Sequence, residues 1–537
     1  MLDVRLVNAT VHTMDTGRSV AREIGLWRGR IVGVDEAVSA LPARREVDLQ
    51  GATVLPGFLD AHVHLAWTGL AAGRTMVNPH EGVPRMLAVI REAAQRRQPG
   101  EWVDIGGYDQ RPLGRHLTAA ELDTVAAGRK ILLVHDSGHA CVVNSAVLDQ
   151  LPADLPHEDG VFAEAGMAAV RAVRQPYSTA ELVAAIELAG RACRAEGITA
   201  VAEAGIGGGL IGHSPVELVA YQDALAAGRL PVRVQAMIAA DVLRPAGAHP
   251  ADDIARAVGV GMRTGFGGDR LSIGALKVFT DGGMMPRTAA LTEPYVGLEH
   301  SGQLFADPAE LTTTIVQGHR AGWQLAVHAI GDRAVDLALD ALEQAQRERP
   351  RPDARHRVEH AGLVRPDQLP RFARVGASAV VQPNFLTYLG DDYAAIMGPK
   401  RAPWLYRGRG FLDHGVPLVG SSDRPVTSGA PLRAIQFLVQ RTTEAGLPVG
   451  PGEAVGVSDA VYAYTAGAAH ACHRERELGT IEPGKLADLV VLGDDPHRVP
   501  PEEIGAIEVV ATVSAEDGAL VTHGTDLGLG ESGTHVP

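Results

Sequence analysis

Between residues 53 and 422, eight short apolar runs alternate with stretches of helical periodicity. An apolar run without a polar face suits a strand buried on both sides. Helices between such strands are the crossover connections of a parallel sheet. The runs lie at 53–62, 198–204, 231–238, 272–280, 323–330, 356–360, 377–383 and 416–422. Eight strands close a parallel barrel, so the expected fold class is α/β, a (β/α)8 TIM-type barrel.

Both ends of the chain break this rhythm. Residues 4–34 read as short strands with Gly and Asn at the turns, and residues 479–510 read the same way. Each set is too small to stand alone, so the two are expected to pair. The expected organisation is a composite β-sandwich from 1–55 and 476–521 around a barrel domain at 56–475. The stretch 67–177 is too long for one crossover and carries its own strands. It reads as an insertion on the catalytic face, because it leaves the C-terminal end of the first strand. The Gly-, Ser- and Thr-rich stretch 522–537 reads as a disordered tail.

Composition narrows the function class. The formal net charge is −15 with no basic stripe, so nucleic acid is not an expected partner. The charged N-terminal run resembles neither a signal peptide nor a membrane span. The three cysteines, Cys141, Cys193 and Cys472, are widely spaced and read as reduced thiols. The expectation is a soluble cytoplasmic protein acting on a small molecule, with no membrane partner; a homodimer is compatible with the sequence.

The chemistry sits at the strand ends. The first strand closes in His62 and His64, and residues i and i+2 share one face of a strand. The fourth carries Lys277, the fifth ends in His328, the sixth in His360, and Asp423 follows the eighth. A barrel gathers these ends into one ring, and neutral imidazoles with a carboxylate are transition-metal ligands. Asp423 is read as ligand and general base rather than a helix cap. Lys277, in an apolar strand, must be paired with a group such as Asp281, neutral, or modified. Arg287, just beyond the fourth strand, is a candidate for substrate binding. The stretch 207–212 matches G-x-G-x-x-G but lies in an expected rim loop, so no dinucleotide is expected.

Seven segments carry a resemblance: PGFLDAHVH, HDSGHACVVNSAVL, GALKVFTDGG, HAIGDRAVDLALDA, RHRVEHAGLV, VGSSDRPV and GTIEPGKLADLVVL. In this order the chain resembles the amidohydrolase superfamily, in its amidohydrolase-3, YtcJ-like branch. The resemblance implies a metal-bearing barrel flanked by a composite β-sandwich. It also implies one or two divalent ions, zinc first, with Lys277 carboxylated into a bridge between them. It implies hydrolysis of a carbon–nitrogen bond in an amide, formamide or cyclic amide by metal-activated water, with Asp423 as proton shuttle. Ester or lactone hydrolysis, deamination, or a non-catalytic ligand-binding barrel are the alternatives. His139 matches the family's H-x-x-x-x-N pattern and is expected to polarise the substrate carbonyl, with Asn144 and Asp281 binding substrate. Tyr108 stands where many relatives have tryptophan and is expected in the pocket wall. The sequence after Val510 lacks the usual closing strand that ends in glycine and lysine.

Overall fold

In the computed structural model of the chain, Gly57 divides the first expected strand in two. Thr53–Pro56 joins a sheet built from both termini, and Phe58–Val63 becomes the first barrel strand. Glycine is required at the division, since a Cβ at residue 57 would lie 2.4 Å from Thr199 Cγ2. The structure describes residues 1–136, 140–163, 165–208, 210–252 and 254–527.

The barrel strands are β1 (Phe58–Val63), β2 (Ile198–Ile206), β3 (Arg233–Ala239), β4 (Leu271–Phe279), β5 (Leu325–Ala329), β6 (Arg357–His360), β7 (Ser378–Val381) and β8 (Leu418–Gly420). They pair in parallel in sequence order. Leu59, Ala61, Ala202, Met237, Ala275 and Val380 share one buried cluster. Side chains drawn from strands around the whole ring meet only in its interior, so the barrel is packed and not a pore. Helix Ala466–Ala471 closes the N-terminal end: Gln324 Nε2 donates to Ala471 O at 2.7 Å and Gln235 Nε2 to Cys472 O at 2.8 Å. At the seam between β8 and β1, Asp423 N donates to His62 O at 2.7 Å, and Ser422 N to Asp60 Oδ1 at 3.0 Å. These bonds carry the residues after β8 to the end of β1.

The termini form two sheets. One orders Arg30–Val34, Ile24–Trp27, Leu2–Val7 and Ala43–Asp48. The other orders Ala519–Gly524, Val509–Glu516, Leu489–Leu492, Thr53–Pro56, Thr10–His12 and Val20–Ala21. Val4, Leu6, Val11, Leu26, Leu489 and Val513 share the core of these sheets. Two details differ from the sequence reading. A closing hairpin forms after Val510, because Asp517 and Gly518 both take positive φ (48° and 82°), the turn that twists with its strands. Its second strand runs to Gly524, so Thr522, His523 and Gly524 pair with Val513, Thr512 and Ala511 instead of starting the tail. Residues 528–537 of that expected tail lie outside the described residues.

The chain leaves the barrel after His64. Residues 66–189, with 213–220, form a second compact unit. Its five-stranded sheet orders Val161–Ala163, Ala140–Val143, Lys130–His135, Trp102–Tyr108 and Thr75–Met76. Met86 and Ile90 of helix Gly82–Gln95 and Leu122 of helix Ala119–Ala126 pack on Ile105, Ile131 and Leu133. The three cysteines are free and buried. Among the described residues no helix is long and apolar enough to cross a membrane.

Candidate metal centre

The seam bonds set the site. His62 lies near the end of β1, His64 just beyond it, and Asp423 is held against His62 O. His64 Nε2 stands 3.0 Å and His62 Nε2 3.4 Å from Asp423 Oδ1. All three side chains are buried, and the ligand atoms lie within 4.8 Å of one another. His62 Nε2 and Asp423 Oδ1 have no hydrogen-bond partner. A buried polar atom left unpaired costs about 1–3 kcal/mol, so two facing one another need something between them. A divalent cation fits: it satisfies both atoms, and two imidazoles with a carboxylate are its customary ligands. Asp423 and His360 also hold left-handed backbone, φ 57° and 70°, a strain of about 1–3 kcal/mol for non-glycine residues that clusters at functional sites.

Further bonds fix the imidazoles. Glu359 Oε2 lies 2.5 Å from His62 Nδ1, and Arg357 donates to both oxygens of that carboxylate at 2.7 and 3.1 Å. Burial pushes the Glu359 carboxyl up, but Arg357 and His62 outweigh it and hold the group well below the usual carboxylate range. Glu359 therefore accepts from His62 Nδ1–H, which leaves the Nε2 lone pair toward Asp423. His360 is fixed similarly. Gln382 donates through Nε2 to Ser421 Oγ at 2.9 Å, so its Oε1 accepts from His360 Nδ1 at 2.8 Å. His328 uses Nε2 against Gly282 O at 3.3 Å, and its buried Nδ1 has no partner. The His328 and His360 rings meet with centroids 4.4 Å apart, and His360 lies 4.8 Å from His62. Burial lowers the pKa of His64, of His328 and of His360, the last to about 3. These three are thus neutral imidazoles, the ligand form.

Lys277 is fully buried and its Nζ has no hydrogen-bond partner; the amine sits 4.8 Å from the centroid of the Phe279 ring. Burial pulls its pKa down to about 8. Gly205, at φ 108°, makes room, since a Cβ there would stand 3.2 Å from Lys277 Cγ. The pairing with Asp281 is not found. Asp281 instead accepts from the backbone N–H of Ile330 at 3.0 Å, Gly331 at 2.8 Å and Ala290 at 2.9 Å, tying the end of β4 to the loop after β5. Asp281 is fully buried, and besides these backbone bonds its Oδ1 lies 3.4 Å from His328 Nε2. Burial nonetheless pushes its carboxyl up to about 7.

The other residues expected to bind substrate lie in the second unit and just beyond β4. In the second unit, Asn144 accepts from Ile131 N at 2.9 Å and donates to Arg129 O at 3.0 Å, so its amide fixes the start of strand Lys130–His135. Tyr108 OH is 3.1 Å from His116 Nδ1 and accepts from Leu117 N at 3.0 Å. Both side chains make these bonds within the second unit. Arg287 is exposed and its guanidinium meets no acidic partner among the described residues. His139 lies outside the described residues. Sequence reasoning missed Glu359, Arg357 and Gln382. The first two carried a signal: Arg-x-Glu in a strand buried on both sides places two charges on one face, where they must pair.

Comparison with known proteins identifies the family. The amidohydrolase family model matches residues 45–517. An N-substituted formamide deformylase of Arthrobacter pascens is 30% identical over 95% of this chain and 97% of its own length. The Bacillus subtilis protein YtcJ is 28% identical over 88% of this chain and 90% of its own. An uncharacterized metal-dependent hydrolase from Pyrococcus furiosus superposes with a TM-score of 0.78 at 28% identity, covering 92% of this chain and 100% of its own. A triazine hydrolase variant shares the fold alone, at 16% identity and a TM-score of 0.54. With the family model over most of the chain and the barrel shared with solved relatives, this chain belongs to the amidohydrolase family and is a hydrolytic enzyme.

Proposed function

We propose that the enzyme hydrolyses a carbon–nitrogen bond of an amide, formamide or cyclic amide. The observation that carries the reading is the convergence of His62 Nε2, His64 Nε2 and Asp423 Oδ1, two of these atoms buried without a hydrogen bond. Its bond class is supported by the formamide deformylase of Arthrobacter pascens, alike along nearly the whole chain.

His62, His64, His328, His360 and Asp423 would hold one or two divalent ions, zinc first. Such an ion supplies a Lewis acid that polarises a carbonyl and makes water acidic near neutrality. Lys277 would bridge a pair of ions as a carbamate: the neutral Nζ bonds to the carbon of carbon dioxide and releases one proton. Its burial and unpartnered Nζ favour the neutral amine that this addition needs. Asp423 accepts a proton from the attacking water and returns it to the leaving nitrogen. Burial alone would raise the Asp423 pKa, but the imidazoles of His62 and His64 hold it well below the usual range, so it stands ready as the base.

The test is a panel of N-formyl, N-acyl and cyclic amides offered to zinc-loaded protein, with the released amine or acid quantified. Amine release by wild type, with about 10²–10⁴-fold less from Asp423→Asn, is the expected result. Turnover confined to esters or lactones would overturn the assignment of bond class.

A further inference from the structure

Metal-ligating side chains meet a second time in the six-stranded sheet of the termini. Strand Thr10–His12 ends in His12, and strand Leu489–Leu492 runs into the loop carrying Asp495 and His497. Both strands pair with Thr53–Pro56, one on each side, which brings the loop over the end of the first strand. Asp495 Oδ1 lies 3.1 Å from His12 Nε2 and 3.1 Å from His497 Nδ1. Around a tetrahedral ion with bonds of about 2.0–2.1 Å, neighbouring ligand atoms stand roughly 3.3 Å apart, so these are near coordination distance. The two imidazoles stack with centroids 4.2 Å apart and planes 28° from parallel, both aimed at one carboxylate oxygen. His497 Nε2 lies 3.1 Å from Ser458 Oγ, an outer bond of the kind that orients metal-bound imidazoles. Asp495 is buried, while the histidines are half-buried beside a cavity of about 330 Å³ that Arg18 and Ser458 also line. Arg18 is engaged by Asp459 at 2.6 Å and so does not neutralise Asp495; Arg498 Nε stands 3.5 Å from Asp495 Oδ2.

We propose that His12, Asp495 and His497 bind one divalent transition-metal ion, separate from the barrel centre. Two imidazoles and one carboxylate select a borderline ion of the zinc type over calcium or magnesium, which prefer oxygen donors alone. The cavity leaves a fourth position to water. Because the ligands come from both ends of the chain, the ion would fasten the N-terminal strand to the C-terminal loop and stabilise their sheet.

The experiment strips the full-length protein with chelator and titrates it with zinc alone. Bound ions are counted, and the thermal midpoint recorded, for wild type, His497→Ala and Asp495→Ala. His497 sits half-exposed in a loop, so its removal leaves the fold intact. Each variant should bind one zinc fewer than wild type, and added zinc should raise the wild-type midpoint further than theirs. Turnover at the barrel, whose candidate ligands share no residue with this cluster, should stay within about twofold of wild type. Equal zinc counts in wild type and both variants would overturn the site, since the three side chains would then be a hydrogen-bonded cluster only.

Discussion

The exchange Asp423→Asn separates ligation from proton transfer. The amide still offers an oxygen to a cation, so metal content should remain, while turnover should fall about 10²–10⁴-fold because no carboxylate is left to take a proton. Retained metal with near-wild-type rates would refute the proton shuttle. Glu359→Gln acts one bond further out. It takes the negative charge from the acceptor of His62 Nδ1 and leaves Arg357 with a neutral partner. Loss of such an outer partner typically weakens metal binding about 10–100-fold, measurable by competition with a chromophoric chelator. A further cost of about 3–5 kcal/mol in stability is expected from the uncompensated Arg357. Lys277→Ala should lose one ion of a pair, and short carboxylic acids should restore part of the activity by replacing the carbamate. Unchanged metal content in that variant would rule out the bridge. The convergence of His62, His64 and Asp423 was legible in sequence, since each lies at or just past the end of an apolar run. The outer partners were not: Gln382 reaches His360 only because β6 and β7 are neighbours, and no spacing within one run encodes that.

The elements show where periodicity succeeds and where it stops. Seven of the expected strands lie where the apolar runs put them. The run at 53–62 is one apolar stretch serving two sheets, and hydrophobicity cannot reveal a division that depends on one close approach to Thr199. Gly57→Ala places a methyl where Thr199 stands, and overpacking of this kind costs about 1–3 kcal/mol. A lowered thermal midpoint with unaltered metal content is expected; an unchanged midpoint would show that β1 and β2 adjust freely. The hairpin after Val510 was hidden for the opposite reason. Its signal is the local Asp517–Gly518 pair, a two-residue turn that carries no glycine–lysine ending. Asn144 marks another limit, because a turn motif does not show that its amide bonds the backbone of Arg129 and Ile131.

At the scale of the whole molecule, a barrel packed shut at one end by Ala466–Ala471 carries its buried ligands at the other. The same covalent chain returns its C-terminal strands to pair beside Thr53–Pro56, so both ends of the sequence are fixed in one sheet next to the start of β1. The central claim is that the ligands gathered by this arrangement hold a divalent ion on which hydrolysis depends. The direct measurement removes metal from the His497→Ala protein with chelator, so that the outer cluster contributes no ion. Zinc is then restored in steps while bound metal and hydrolysis of the amide that the substrate panel selects are followed together. Activity should vanish with the metal and return in proportion to the zinc bound, with the fold unchanged by circular dichroism throughout. Full turnover by the folded, metal-free protein would contradict the account.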